Sequence, residues 1–163
     1  MQIEKVRALI EHDRQEFLEK WIRLASSEGT AREPEAMDRA CGLLQEMFES
    51  EGFKCRREKT GDNTPDVLIG TRGSGRSVLF SGHYDTVFRE GEWKEHIHVA
   101  EGGKLKGPGV LDMKGGIIIS LFTARILRRL GLGEIPLKVI FVGDEEIGHE
   151  GSDSAEILKK ESE

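Results

Sequence analysis

Hydrophobic residues recur at two different spacings along the chain, and the change in spacing separates predicted helices from predicted strands. Over residues 3–26, apolar side chains recur every three or four positions, which predicts an amphipathic helix that ends before Gly29. Residues 34–51 repeat this pattern, with Pro34 in the first turn and Gly52 just past the end. The first third of the chain is therefore predicted to form two helices.

From residue 53 onward, short apolar runs bounded by turn residues replace the helical period. Strands are predicted at 53–58, 66–69, 76–82 and 137–142, an exposed strand or hairpin at 97–106, and helices at 113–130 and 152–160. The runs at 76–82 and 137–142 are almost continuously apolar, as expected of strands that are covered on both faces. The pattern predicts one α/β domain with a mixed, largely parallel sheet flanked by helices.

Length and charge narrow the class of protein. The chain has 163 residues, which suits one domain with its own core. The formal net charge is −6, and the 24 basic residues are scattered rather than gathered into a stripe. A nucleic-acid surface needs clustered basic residues to neutralise phosphates, so we expect no nucleic-acid partner.

Cysteine content and the apolar runs bear on location. Cys41 and Cys55 form no Cys-x-x-Cys pair and are interpreted as two free thiols, which is consistent with a reducing compartment. The N-terminus does not have the pattern of a secretory signal. The longest apolar run, at 117–122, is far shorter than the ~20 residues of a membrane span. The expected location is cytoplasmic, without a membrane partner.

Imidazole and carboxylate groups follow the two most apolar strands. They come in three short segments that contain His83 and Asp85, Asp112, and Glu145 with Glu146. In open α/β sheets, ligands bind beyond the carboxyl ends of the strands, so we expect these segments to meet at one edge of the sheet. Taken singly, each segment has a plainer interpretation as a surface turn, a solvated loop or a charge near a helix N-terminus. Their coincidence at one edge favours a functional site.

This set of side chains matches the chemistry of a hydrolytic metal centre. Imidazole and carboxylates are ligands of zinc, manganese and cobalt, and a carboxylate can bridge two metals about 3.5–4 Å apart. In the pair Glu145 and Glu146, one residue could bind metal while the other accepts a proton from water. Asp85 could accept the second ring N–H of His83 and so fix its tautomer.

Two other features carry weaker indications. Gly70–Ser77 nearly matches a phosphate-binding loop, but an apolar strand follows where such a loop requires a helix, so we interpret it as a turn. His96 and His98 are interpreted as a surface patch, whereas His149 lies close enough in sequence to the Glu pair to line the cleft.

Three motifs together resemble those of a known family. Ser81–Val87, Gly107–Gly116 and Gly143–Gly148 are similar, in this order, to motifs of the di-zinc metallopeptidase family of glutamate carboxypeptidase, acetylornithine deacetylase and succinyl-diaminopimelate desuccinylase. The separations of 29 residues from His83 to Asp112 and 33 from Asp112 to Glu145 also suit that family. The second motif most resembles the glutamate carboxypeptidase branch. The resemblance implies a zinc-peptidase-like three-layer fold.

The resemblance also implies a role for each site residue. His83 and Glu146 would each bind one of two divalent metals, and Asp112 would bridge both. Glu145 would be the catalytic base, and Asp85 would orient His83. Zinc is the expected metal, with cobalt or manganese as alternatives. A cis peptide bond is expected directly after the bridging aspartate, between Asp112 and Met113.

The implied function is hydrolysis of an amide bond in a small peptide or N-acyl amino acid, by a full-length parent that is a homodimer. Family members are much longer and carry further metal ligands and a dimerisation domain beyond the position of Glu163. Residues 1–163 are therefore expected to be the N-terminal portion of an incomplete catalytic domain, with weak or absent metal binding and negligible turnover. The alternative is a non-catalytic fragment that binds a partner or self-associates through an exposed sheet edge.

Overall fold

A computed structural model of the chain describes residues 2–100 and 102–162. Within them the helices are α1 (Gln2–Ala25), α2 (Pro34–Ser50), α3 (Gly115–Arg129) and α4 (Ser154–Ser162). The strands are β1 (Lys54–Glu58), β2 (Val67–Arg72), β3 (Val78–His83), β4 (Val99–Ala100), β5 (Lys104–Leu105) and β6 (Leu137–Val142). The predicted elements are all found, with boundaries shifted by up to three residues. No helix in the described ranges is long and apolar enough to cross a membrane.

The main sheet has the strand order β1-β2-β6-β3, and β4 pairs with β5 in a separate small hairpin. The prediction of a mixed α/β sheet flanked by helices is confirmed. β1, β6 and β3 run in one direction and β2 runs against them, so β3 pairs with β6 in parallel, whereas β1 with β2 and β2 with β6 pair antiparallel.

Alternate side chains of β6 serve two cores, which gives the fold three layers. Leu137, Val139 and Phe141 pack with the helices α1, α2 and α3 on one face of the sheet. Ile140 and Val142 face the opposite side, where they pack with Val67 and Ile69 of β2 and with Ile157 of α4. The sheet is therefore covered on both sides, and α4 is the cover on the second face.

Two local expectations need correction. The stretch predicted as a turn at Gly70–Ser77 begins as the end of β2, so the turn starts only at Gly73. Strand β3 follows it, which agrees with the interpretation that this is no phosphate loop. The expectation that 76–82 is covered on both faces is wrong, because β3 lies at the edge of the sheet and Val78 is 53% exposed.

Candidate metal centre

The single parallel strand pair of the sheet brings the candidate residues together. His83 is the last residue of β3 and lies opposite Val142, the last residue of β6. The chain leaves β6 through Gly143 and Asp144 and forms one helical turn at Glu145–Ile147. Because the two strands run in the same direction, the segments that follow them emerge at the same edge of the sheet.

The His83 imidazole is at the centre of the cluster. It is 4% exposed, and its Nε2 lies 3.0 Å from Oδ1 of Asp112 and 3.8 Å from Oε2 of Glu145. Its Nδ1 lies 3.1 Å from Oδ1 of Asp85. The structure thus places the predicted residues beside one another, with Asp85 on the side of the ring away from the other carboxylates.

Asp85 contacts two parts of the centre at once. It is fully buried, and while Oδ1 contacts the His83 ring, Oδ2 accepts a hydrogen bond of 3.1 Å from the backbone N–H of Glu146. This second contact joins residues 61 positions apart and was not foreseen from the sequence. One carboxylate therefore sets both the orientation of the imidazole and the position of the turn that carries the glutamates.

An irregular turn at Val110–Lys114 presents Asp112 to His83. The Asp112–Met113 peptide bond is cis, as the family resemblance implied. A Cβ atom on Gly82 would lie 2.5 Å from Cε of Met113, so glycine in β3 leaves room for the Met113 side chain. The Asp112 side chain is 78% exposed, although its Oδ1 contacts the buried His83 ring.

Lys114 stabilises that turn through two hydrogen bonds. The sequence did not predict this role. The Lys114 side chain is completely buried, and its Nζ donates a hydrogen bond of 2.6 Å to the backbone carbonyl of Ser27. The backbone N–H of Lys114 donates a second hydrogen bond, of 2.7 Å, to the backbone carbonyl of Gly109. Burial lowers the pKa of Lys114 to about 8, although the charges of Glu28 and Asp85 oppose the shift. Lysine is seldom fully buried, so the sequence has no signal for this role.

The Asp144 carboxylate bonds to residues of the following loop and does not contact the His83 cluster. Its buried carboxylate accepts hydrogen bonds from the hydroxyls of Ser152 and Ser154 and lies 3.0 Å from Nδ1 of His149. The expectation that His149 lines the cleft is therefore not met, because its imidazole bonds to Asp144 and Ser154 instead. This network closes the loop that follows Glu145 and Glu146.

The carboxylates dominate the electrostatics of the centre. Burial by itself lowers the pKa of His83, but hydrogen bonds to Asp85 and Asp112 and the charge of Glu145 outweigh it and raise the pKa to about 9. Burial raises the pKa of Glu146, and the charges of Asp85, Asp112 and Glu145 add to that increase while His83 opposes it. Gathering this much negative charge favours a cation at the centre.

The donor atoms fit a divalent metal. One ligand atom from each of His83, Asp112 and Glu146 lies within 4.8 Å of the other two, and no second such group occurs among residues 2–100 and 102–162. Tetrahedral zinc with bonds of about 2.0–2.2 Å holds its ligands roughly 3.3 Å apart. The 3.0 Å between His83 and Asp112 is close to that spacing. His96 and His98 instead stack on each other at the surface.

Comparison with known proteins identifies the family. Residues 79–161, half of the chain, match the family described as Peptidase family M20/M25/M40. The chain belongs to this family. It is also 33% identical over 141 residues to Carboxypeptidase G2 of Pseudomonas sp. (strain RS-16), an alignment that covers 83% of this chain and 33% of that protein. The chain thus spans about one third of the length of this relative.

Solved structures show the same fold. Dug1p, a di-peptidase from Saccharomyces cerevisiae, superimposes with a TM-score of 0.78 at 20% identity over 97% of this chain and 37% of its own. The M20 family metallo-carboxypeptidase Sso-CP2 from Sulfolobus solfataricus gives a TM-score of 0.71 at 25% identity, over 82% of this chain and 32% of its own. The predicted fold class and the predicted family are both confirmed.

Proposed function

We propose that this chain supplies part of the catalytic centre of a metal-dependent amide hydrolase of the carboxypeptidase or deacylase type. The observation that carries the proposal is that ligand atoms of His83, Asp112 and Glu146 lie within 4.8 Å of one another, with the carboxylate of Glu145 beside them. Membership of a peptidase family and similarity to a protein named as a carboxypeptidase support it. The substrate class would be a small peptide or an N-acyl amino acid.

His83, Asp112 and Glu146 would hold the metal, and zinc suits this set of one imidazole and two carboxylates. Asp112, whose carboxylate is exposed, would be shared between two ions. When bound, such a metal polarises the scissile carbonyl and makes water acidic enough to react at neutral pH. With three ligands for two ions, this chain by itself would bind metal weakly and turn over little or no substrate.

Glu145 would act as the general base and then as the general acid. Its side chain is 53% exposed, and its Oε2 lies 3.8 Å from Nε2 of His83. It would accept a proton from the water as the new C–O bond forms. It would then donate that proton to the amine nitrogen as the C–N bond breaks, so that the amine leaves as a neutral group.

Adjacent glutamates with different proposed roles provide a matched test. Zinc affinity of the 163-residue chain, measured by calorimetric titration, should fall at least tenfold in Glu146→Gln but stay within about twofold in Glu145→Gln. His83→Ala should abolish binding, and His98→Ala, at an exposed position away from the centre, should not change it. Equal losses in both glutamate variants would refute the division of roles, and zinc binding that survives His83→Ala would refute the site.

A further inference from the structure

One short connection contacts two of the segments that carry the proposed metal ligands. It consists of residues 26–33, between α1 and α2, and we call it the α1–α2 connection. The backbone carbonyl of Ser27 accepts the hydrogen bond from Nζ of Lys114, in the turn that carries one ligand. The backbone carbonyl of Gly29 accepts a hydrogen bond of 3.1 Å from the backbone N–H of Thr86, in the loop that follows β3. Two carbonyls of one connection therefore hold both segments.

The two residues that bond to this connection also pack against each other's neighbour, Gly109. A Cβ atom on Gly109 would lie 3.0 Å from Cδ of Lys114 and 3.0 Å from Cγ2 of Thr86. Lys114 and Thr86 are both buried, at 0% and 1% exposure. The lysine stem and Thr86 therefore lie close together across Gly109, with the α1–α2 connection as their common partner.

The α1–α2 connection is itself fixed in place. Gly29 has a φ of 151°, and a Cβ atom there would lie 2.8 Å from Cβ of Ala36 in α2. Only glycine combines this backbone conformation with so close an approach to the helix. The Glu33 carboxylate accepts a hydrogen bond of 3.0 Å from the backbone N–H of Thr30, which closes the connection on itself. A bond to this connection is therefore a bond to a firm support.

Asp112 has little support of its own. Its side chain is 78% exposed, and its one hydrogen-bonding contact among the described residues is with His83. The backbone at Asp112 and Met113 departs from helical geometry, so no regular helix holds the turn. Val110, two residues earlier, is buried, and Lys114, two residues later, is bonded to the connection. The place of Asp112 relative to His83 therefore depends on these two anchors.

Lysine is an unfavourable choice for an anchor that serves stability alone. The Lys114 side chain is fully buried, and among the described residues its ammonium group donates to one acceptor, the neutral carbonyl of Ser27. Burial lowers the pKa of Lys114, and the charges of Glu28 and Asp85 only partly oppose that shift. Methionine would fill the same space without a buried charge. A residue that is unfavourable for stability and adjacent to a proposed ligand is typical of a functional site.

We propose that Lys114 is a positioning residue for the metal centre. By bonding to the α1–α2 connection, which also holds the segment after His83, it sets the distance between Asp112 and His83. The inference rests on the proposed function, because a shared metal is what requires that distance. It adds to that function a residue that is neither a ligand nor a proton carrier.

Lys114→Met tests the proposal because it keeps the length of the side chain and removes the charge and the hydrogen bond. Zinc affinity in calorimetric titration should fall at least about tenfold, as for other groups that orient metal ligands. The urea midpoint of the metal-free chain should not fall, since no charge then has to be buried. The visible spectrum of bound cobalt(II), which responds to the number and geometry of its ligands, should also change.

Lys138→Met is the matched control. Nζ of Lys138 also donates to a backbone carbonyl, that of Glu161, but Lys138 lies near the start of β6, whereas the centre lies at the other end of that strand. This substitution should leave zinc affinity and the cobalt(II) spectrum unchanged, whatever it does to the urea midpoint.

Loss of zinc affinity in Lys114→Met without loss of stability would support the proposal. Unchanged affinity, or affinity and stability that fall together, would overturn it and leave the ligand assignment standing. If Lys114→Met does not fold, Thr86→Val decides, because it removes the hydroxyl contacts to Gly29 and Phe88 at the other end of the same support. Zinc affinity should then fall about threefold, and an unchanged affinity would overturn the proposal.

If the parent chain does not bind zinc, the proposed function fails separately and the metal-free chain decides the inference. Nε2 of His83 lies 3.0 Å from Oδ1 of Asp112, so displacement of Asp112 changes the surroundings of the ring. Lys114→Met should therefore shift the NMR signals of the His83 imidazole, and Lys138→Met should not. Imidazole signals that stay at the parent positions in Lys114→Met would overturn the inference.

Discussion

At the scale of single residues, the Asp85 carboxylate positions two parts of the candidate metal centre. It fixes the His83 ring through one oxygen and the Glu146 backbone through the other. Asp85→Asn retains the shape but places an N–H₂ group against one of two donors, so one contact must be lost. We expect a 10- to 100-fold loss of zinc affinity, as for other carboxylates behind a metal-bound histidine.

Asp62→Asn, in the exposed connection between β1 and β2, is the matched control for that substitution. It makes the same chemical change away from the centre and should leave zinc affinity unaltered. Both variants should be compared by calorimetric titration. Zinc affinity that is equal in the two variants would show that Asp85 does not position the ligands.

His83 should make the metal-free chain less stable as the pH rises. Its pKa of about 9 in the folded chain exceeds the ordinary value of 6.5, so the folded state binds the proton more tightly than the unfolded state. The stabilisation is complete below pH 6.5 and is lost as the pH rises toward 9. Lys114, with its pKa lowered to about 8 by burial, has the opposite effect above pH 8.

The window from pH 6.5 to 8 therefore isolates His83 in urea unfolding with a chelator present. The free energy of unfolding should fall across this window in the parent chain and stay nearly level in His83→Gln. His12→Gln, on the exposed side of α1, should follow the parent chain. Zinc requires the neutral imidazole, so its affinity should rise with pH over the same window. A parent curve that matches His83→Gln would contradict the prediction.

The sequence predicted those site residues that are marked by features of the neighbouring sequence. His83, Asp112 and the Glu pair each stand at the end of an element or in a glycine-rich segment, and both features can be recognised along the chain. The bond from Asp85 to Glu146 could not be predicted, because it exists only once β3 and β6 are paired in parallel. Lys114 escaped notice because its role arises from burial alone.

At the scale of elements, a buried ion network joins α1, the end of α2 and α3. Arg125 of α3 donates hydrogen bonds of 2.7 Å to Glu51 and of 2.6 and 2.8 Å to Glu16. The Glu51 side chain is only 2% exposed, and Arg128 contacts its other oxygen at 2.9 Å. This network holds together the helices that cover one face of the sheet.

Arg125→Met keeps the apolar stem of the side chain but removes its charge. Since Glu51 then remains buried with a single partner, we expect the free energy of unfolding to fall by about 3–5 kcal/mol. Arg14→Met breaks an exposed pair with Glu11 on α1 and should cost less than about 1 kcal/mol. Urea unfolding of both variants checks the difference. Similar losses in the two would mean that burial adds nothing to the network.

At the scale of the whole molecule, the composition of the layers was predictable but the direction of the strands was not. Period and capping residues predicted the helices, and apolar content predicted β3 and β6. Neither property depends on whether β2 runs with or against β6. The edge position of β3 was hidden for the same reason, since a strand's place in a sheet depends on which other strands pair with it.

The position of β3 at the edge of the sheet predicts that copies of the chain associate with one another. In the described part of the chain, β3 pairs only with β6, so its other side presents unpaired backbone groups along an apolar strand. Val78 adds a side chain that is 53% exposed. Unprotected edges of this kind pair with one another, and a lysine on the edge strand prevents this. The chain should therefore self-associate at high concentration, as the alternative of a self-associating domain also requires.

Val78→Lys should shift the chain toward monomer in light scattering across a concentration series. Leu132→Lys adds the same charge at a similarly exposed position in the connection between α3 and β6, and should leave association unchanged. The comparison separates blocking of the edge from the general effect of charge. A parent chain that stays monomeric at high concentration would contradict the prediction, since the edge of β3 would then be protected without a partner strand. Equal effects of both lysines would assign association to charge and not to the sheet edge.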